Sequence, residues 1–387
     1  MRTSQGGFWS AGLALLLVAQ ACFGYAFSTF YLIPKFVTEA LGAGPVEVGL
    51  VTTAHGAAAV VALLAAGICV DRFGRTPFLT GGALLMAVTC FALIAVEEVG
   101  VLLYGLRIIQ GVAFAFAVSA GATLCVDLAP PHRTAQAIGF FGVTMLGMNA
   151  AAASFGELLA EGYGWGAPFS AAGLGALLCA LISLRLSEPA RLPGPSRDAS
   201  GFLRVMTEPA LRPIFAVITV VGAAFGAMTT FQIPFALQLG IDRVGGYFIA
   251  YASAAVTVRL LLGTFVDGWG HRPVALVNLL LYAVSVFAMA ALQPATLVPL
   301  GALFGVAHGL FYPSFSAVAI GTAESRDRGK VIAFFQAWFS VGVAVGCFLL
   351  GYLADARGYP AVFLATGFAT LLGWLVLLTR IHPDRPN

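Results

Sequence analysis

Residues 273–323 form a run of 51 positions without Asp, Glu, Lys or Arg. Charge-free runs also occupy 3–34, 48–70, 76–96, 134–156, 162–184, 213–241, 331–354 and 358–379, while 99–126 and 244–266 are broken only by Arg107 and Arg259. A helix needs about 20 mostly apolar residues to cross a hydrocarbon core about 30 Å thick. The longest run accommodates two such helices, with Gln293-Pro294-Ala295-Thr296 as the turn between them. Eight single runs, two runs with one arginine each and this double run predict twelve spans. The expected fold class is an all-α membrane protein. Composition agrees, because 10% charged residues fall far below the roughly 25% of a soluble domain. That excludes a soluble enzyme, and a net charge of +3 implies no nucleic-acid partner.

The first span has some features of a cleavable signal peptide, with Arg2, an apolar run and Ala19-Gln20-Ala21. The run continues beyond that point to Pro34, so it is expected to stay as a span. Positive charge gathers on one side of the predicted helices: fifteen Lys and Arg on the side of the N-terminus, against Arg243 and Arg357 on the other. The positive-inside rule then places both termini in the cytoplasm. Arginine outnumbers lysine 18 to 2, a bias that suggests a GC-rich bacterial source and hence the cytoplasmic (inner) membrane. The six cysteines all sit in apolar spans without metal or disulfide spacing, as small apolar fillers.

The second half echoes the first at a shift of 194–200 residues. Ile33-Pro34 returns as Ile233-Pro234. Gly67, Asp71, Gly74 and Pro77 return as Gly263, Asp267, Gly270 and Pro273. Gln110-Gly111 corresponds to His308-Gly309, Asp127 to Glu324, Phe140-Phe141 to Phe334-Phe335, and Gly164 to Gly358. Six helices followed by six like helices in the same orientation make a parallel repeat about an axis along the membrane normal. The expected domains are two pseudo-symmetric six-helix bundles, 1–187 and 211–387, joined by a Pro- and Arg-rich cytoplasmic linker at 188–210.

The stretch Gly67-Ile-Cys-Val-Asp71-Arg72-Phe-Gly74-Arg75 resembles the loop 2–3 motif of the major facilitator superfamily. Leu103-Tyr-Gly-Leu-Arg107-Ile-Ile-Gln110-Gly111 resembles its span-4 motif, found especially in drug and metabolite exporters. The resemblance covers the whole chain in span count, repeat and loop charge. It implies a secondary transporter working by alternating access, with spans 1, 4, 7 and 10 around a central cavity. It also implies a cytoplasmic gate: Asp71 caps a neighbouring helix, and Arg72 or Arg75 pairs with Asp127. The second half repeats the gate as Asp267, Gly270, Arg272 and Glu324. Arg107 is implied as a coupling residue. This chain departs from proton-driven exporters in span 5, where Ala151-Ala152 and Phe155-Gly156 replace Gly-Pro and Gly-Gly, and Thr76 replaces a basic residue in the loop motif.

Ionisable groups within a bilayer are expensive and mark functional candidates. The deepest here are cationic, Arg107 and Arg259, with Lys35 and Glu157 nearer the outer ends of spans 1 and 5, and His308 in the middle of span 10. Polar and aromatic residues at three- and four-residue spacing share a helix face. Such series give the expected substrate-binding residues Gln20, Phe27 and Tyr31 (span 1), Arg107 and Gln110 (span 4), Thr229 and Gln232 (span 7), and His308 and Tyr312 (span 10), joined by Arg259 on span 8. Arg107 and Glu157 are the coupling candidates. The expected function is proton-coupled export, by antiport, of a small metabolite or drug-like compound. Uptake or exchange of an organic anion in a cationic cavity is the alternative, and lipid translocation is a rival of another class. No cofactor or metal is expected. The partners are the solute, protons or another coupling ion, and lipid, and the chain is expected to act as a monomer.

Overall fold

The computed structural model describes residues 9–130, 133–188, 205, 207–322 and 327–380. Span 1 is Ala11–Ser28 continued through Thr29–Leu32 into Ile33–Glu39. Spans 2 to 6 are Pro45–Phe73, Arg75–Ala92, Val101–Leu128, Thr134–Tyr163 and Gly166–Ser183. Span 7 is Arg212–Gly226 continued through Ala227–Phe231 into Gln232–Gln238. Spans 8 to 12 are Gly245–Trp269, His271–Met289, Leu297–Gly321, Arg328–Arg357 and Tyr359–Arg380. Among the described residues eleven helices are long and apolar enough to cross a membrane, and Gly245–Leu261 of span 8 is a shorter apolar helix. The fold is the all-helical, multi-span one that the uncharged runs require.

Local signals account for the helix ends. Ser10 Oγ accepts the Leu13 N–H at 3.1 Å and caps span 1. Spans 5 and 11 stop at Gly164 and Gly358, with φ of 78° and 79°, whose N–H groups close on Ala160 and Ala354. The turns before spans 3 and 9 pivot on Gly74 (φ 109°) and Gly270 (φ 84°). A side chain is strained in that region of φ. These positions match in pairs across the two halves, so the sequence repeat is also a repeat of backbone conformation.

Spans 1 and 7 are each interrupted just before the repeated Ile-Pro pair, span 1 by a 3₁₀ turn at Thr29–Leu32 and span 7 by a π turn at Ala227–Phe231. Proline lacks an N–H, and its ring clashes with the carbonyl four residues earlier. For Pro34 and Pro234 those carbonyls belong to Phe30 and Thr230, inside the two interruptions. The break corrects one expectation. Regular spacing does not carry Thr229 and Gln232 along one helix face, because the π turn shifts the register between them. The 3₁₀ turn likewise interrupts the series from Gln20 to Tyr31.

The chain packs as two compact units, Met1–Phe36 with Ala57–Leu192, and Val37–Gly56 with Pro193–Asn387. The first 12 residues of span 2 therefore belong with the second unit. There Thr53 Oγ1 donates to the Ala344 carbonyl of span 11 at 3.0 Å, and Gly49 lies so close to span 11 that a Cβ would stand 2.5 Å from the Cys347 carbonyl. Within the same unit, spans 7 and 11 are pressed together at Gly222 and Gly342. A methyl on either would collide with the Phe339 or Thr219 carbonyl. Small residues permit such backbone contact between helices in lipid.

Candidate functional site

In the first unit, Arg107 of span 4 is 2% exposed. Its Nη1 donates to Gln110 Oε1 at 2.5 Å, and its guanidinium lies over the Phe30 ring, 5.0 Å from the centroid. Gln110 Nε2 in turn approaches Cys90 Sγ at 3.9 Å. Phe27 stacks on Phe114 at 4.3 Å, which ties span 1 to span 4. Gln20 is buried and directs its Nε2 to Met145 Sδ at 3.6 Å. Tyr31 accepts from Asn149 Nδ2 at 3.3 Å, and Asn149 Oδ1 accepts from Ser28 Oγ at 2.6 Å. Glu157 is buried and bound to Lys35, Nζ to Oε1 at 2.5 Å.

In the second unit, His308 of span 10 lies in a nest of six aromatic rings. Ring centroids stand at 4.7 Å for Phe225, 5.8 Å for Tyr251, 6.0 Å for Phe304, 6.1 Å for Phe311, 6.2 Å for Phe339 and 6.3 Å for Tyr282. His308 Nδ1 lies 3.2 Å from the Tyr282 hydroxyl, which fixes the ring's orientation. Four spans supply these neighbours: 7, 8, 9 and 11, besides span 10 itself. Phe225, His308 and Phe339 are only half-buried, whereas Tyr251, Tyr282 and Phe304 are fully buried behind them. Arg259 of span 8 is close enough for its charge to act on His308, Tyr251 and Tyr312, and its Nε makes no hydrogen bond among the described residues. Tyr312 is exposed and meets the Phe335 ring edge-on at 5.3 Å.

The interruption in span 7 holds two further candidates. Thr229 Oγ1 returns to the Phe225 carbonyl at 2.7 Å. Gln232 is wholly buried, and neither end of its amide finds a hydrogen bond among the described residues. A buried amide without partners costs roughly 1–3 kcal/mol per unsatisfied group. Neighbouring Tyr247 uses its hydroxyl to donate to the Met228 carbonyl at 3.1 Å.

At the end of the first unit that carries the turn between spans 2 and 3, Arg75 Nε lies 3.2 Å from Asp127 Oδ2, and Arg75 Nη1 lies 3.9 Å from Glu188 Oε1. Glu188, just past span 6, accepts the backbone N–H groups of Arg75 and Thr76 at 2.8 Å each. It thereby caps span 3, whose N-terminus carries the positive end of the helix dipole. Partial desolvation pushes its carboxyl up, but those N–H groups, the Thr76 hydroxyl and the Arg75 charge outweigh it and hold the carboxyl below the usual range. Arg72 is exposed and lies over the adjacent Phe73 ring at 5.2 Å. Gly67 is half-buried in span 2. In the second unit, Arg272 Nη2 donates to the Leu378 carbonyl of span 12 at 2.8 Å. The Asp71 and Asp267 side chains and all of Glu324 lie outside the described residues.

Sequence reasoning passed over Asn149, Ser28 and Glu188. The chain has three asparagines, and Asn149 and Asn278 are the two inside spans; such rarity is the signal that singles out Asn149. Asn278 Nδ2 donates to the Ala307 carbonyl at 2.5 Å. Glu188 had no such signal, since its partners are backbone groups 112 and 113 residues away. No three His, Cys, Asp or Glu side chains among the described residues gather as metal ligands.

The sequence model of the Major Facilitator Superfamily matches residues 15–295 and 244–387. An uncharacterised MFS-type transporter of Burkholderia mallei is 25% identical over 358 residues, covering 88% of this chain and 85% of its own. The multi-drug resistance efflux pump PmrA of Streptococcus pneumoniae is 24% identical over 377 residues, 90% of each chain. Among solved structures, the nucleoside transporter NupG (D323A mutant) superposes with a TM-score of 0.82 at 13% identity, covering 96% of this chain and 100% of its own. A bacterial homologue of the human lysosomal transporter Spinster gives 0.77 at 17% identity, covering 95% and 96%. At such identities these two likenesses establish a common fold.

Proposed function

The chain belongs to the Major Facilitator Superfamily, moving a small solute by alternating access, and on that premise we propose that it exports a planar organic metabolite or drug-like compound in exchange for protons. The nest around His308 carries this reading. Half-buried Phe225 and Phe339 offer ring faces for stacking, and His308, oriented by Tyr282, adds a directional polar group among them. Aromatic pairs contribute about 0.5–1.5 kcal/mol each beyond the area they bury. The likeness to a multi-drug efflux pump supports export.

The remaining residues have proposed roles beside the nest. Gln232 and Thr229 in span 7, and Gln20, Phe27, Tyr31 and Gln110 in the first unit, contribute to solute binding. Arg75, Asp127 and Glu188 latch the cytoplasmic ends of spans 3, 4 and 6, with Asp71, Asp267, Arg272 and Glu324 as further gate elements. The bundles are 1–187 and 211–387, joined at 188–210, in a bacterial inner membrane with both termini cytoplasmic, and the chain acts as a monomer. A second reading, transport of an organic anion, is favoured by Arg259, whose Nε lacks a hydrogen bond among the described residues, and by Arg107 over Phe30. Guanidinium forks match carboxylates.

A thermal-stabilisation screen of the purified protein with planar aromatic dyes, aromatic carboxylates and sugars tests both readings. Export of a planar compound predicts stabilisation by dyes that Phe225→Ala weakens about tenfold, as loss of roughly 1.4 kcal/mol requires. Stabilisation by carboxylates alone, abolished in Arg107→Ala or Arg259→Ala, decides for the anion. Stabilisation by sugars alone overturns both.

A further inference from the structure

Spans 1 and 5 share a ladder of polar side chains inside the first unit. Ser28, Tyr31 and Lys35 follow one another at three- and four-residue spacing on span 1, and Asn149 and Glu157 meet them from span 5. Ser28 donates to Asn149, Asn149 donates to Tyr31, and one turn beyond, Lys35 donates to Glu157 at 2.5 Å. The last two side chains are only 5% and 6% exposed.

The repeat supplies an internal control. At the shift of 200 residues that maps Ile33-Pro34 onto Ile233-Pro234, the three span-1 positions become Met228, Phe231 and Phe235. At the shift of 194 that maps Phe140-Phe141 onto Phe334-Phe335, Asn149 and Glu157 become Val343 and Gly351. The second unit thus joins the corresponding helices with no acid, base or amide at these places. A buried ion pair is weak evidence for stability, because desolvation offsets its attraction. The fold does without this one in its other half, so its presence is explained by what the pair does.

We infer that Glu157 is a proton-binding site, that Lys35 is the partner it exchanges for the proton, and that Tyr31, Asn149 and Ser28 extend the polar connection inward along span 1. The inference rests on the proton-coupled reading above and names the group that would carry the coupling. A proton delivered by water bonds to a Glu157 carboxylate oxygen, and the ion pair with Lys35 is replaced by an ordinary hydrogen bond. Lys35 keeps its own protons and donates to the neutral acid. The unit gains one positive charge, which leaves again when the proton departs. The other titratable or charged groups on the packed elements are Cys22, Tyr25, Tyr31 and Glu39 in span 1, Glu161 and Tyr163 in span 5, and Tyr104, Arg107, Cys125 and Asp127 in span 4. Span 6 contributes only Cys179.

The test is infrared difference spectroscopy of the full-length protein in liposomes, with the pH lowered and no solute added. The wild type is expected to gain a carbonyl band of a protonated carboxylic acid that is missing in Glu157→Gln. In Lys35→Met the carboxylate has lost its cation, and the band should already be present at alkaline pH. The double variant Lys35→Met/Glu157→Gln, whose seam is uncharged like that of the second unit, should fold and lack the band at every pH. A wild type and Glu157→Gln with identical spectra would overturn the assignment, as would a Lys35→Met spectrum indistinguishable from the wild type. Solute flux indifferent to a pH gradient, with the band intact, would instead count against the proton-coupled reading and leave the proton site standing.

Discussion

The seam between spans 1 and 5 and the seam between spans 7 and 11 occupy the same place in the repeat, yet they are closed by different physics. The first is held by side chains: Gln20 reaches Met145, Ser28 reaches Asn149, and Lys35 reaches Glu157. The second is held by backbone proximity, with Gly222 and Gly342 against opposing carbonyls and Gly346 so close to Ala223 that a Cβ would stand 2.6 Å from its Cβ. Cys22 and Met148 stand at the positions corresponding to Gly222 and Gly342. One seam carries groups that can exchange protons and partners. The other is apolar and tight, and flanks an aromatic nest suited to a solute. On the proposed reading, the first unit carries the ion-responsive pair beside its polar solute contacts, and the second supplies the aromatic grip.

Four substitutions test this contrast. The largest effect is expected from Gly342→Met, which introduces the residue of the corresponding position. Its side chain has no room against Thr219, so the folded, monodisperse fraction in size-exclusion chromatography should be lost. Next, Lys35→Ala removes the cation from buried Glu157, which must then stay uncompensated or take up a proton, a change that typically costs about 3–5 kcal/mol. The midpoint of thermal unfolding should fall accordingly, and adding Glu157→Gln should recover most of the loss; no recovery would mean that Lys35 acts by packing alone.

Asn149→Val copies the second half into the first. It should cost about 1 kcal/mol in thermal unfolding, the net worth of a typical hydrogen bond, while leaving dye stabilisation intact. The smallest effect is expected at Glu188. Because its carboxyl is held below the ordinary range, its cap on span 3 is present above that range and is lost as the pH falls through the lowered value. The gap in unfolding midpoint between wild type and Glu188→Gln should therefore be small at neutral pH and close in acid.

Much of this was legible in the sequence. Uncharged runs of sufficient length force helices across the bilayer, and the near-constant shift of Gly74, Pro77 and Gly164 reveals the repeat. Arg107 and Glu157 stood out because a charge in an apolar run has few innocent explanations. The interruptions of spans 1 and 7 were harder, since hydropathy does not record which carbonyl a proline deprives of its donor; Pro34 and Pro234 held that information, and the π turn at Ala227–Phe231 decided its form. The aromatic nest was hidden for another reason. Phe225, Tyr251, Tyr282 and Phe339 come from four helices, and no spacing along the chain brings them to His308. A neutral group such as Ser28 becomes visible only through its partner.

The most direct measurement is accumulation of a planar aromatic dye in everted membrane vesicles under an imposed inside-acid gradient. The wild type is expected to accumulate the dye with the gradient, and Phe225→Ala with His308→Ala to lose that accumulation. In Glu157→Gln, dye exchange should persist while the response to the gradient disappears. Accumulation that survives the nest variants, or a Glu157→Gln protein that still responds to the gradient like the wild type, would contradict the proposed function.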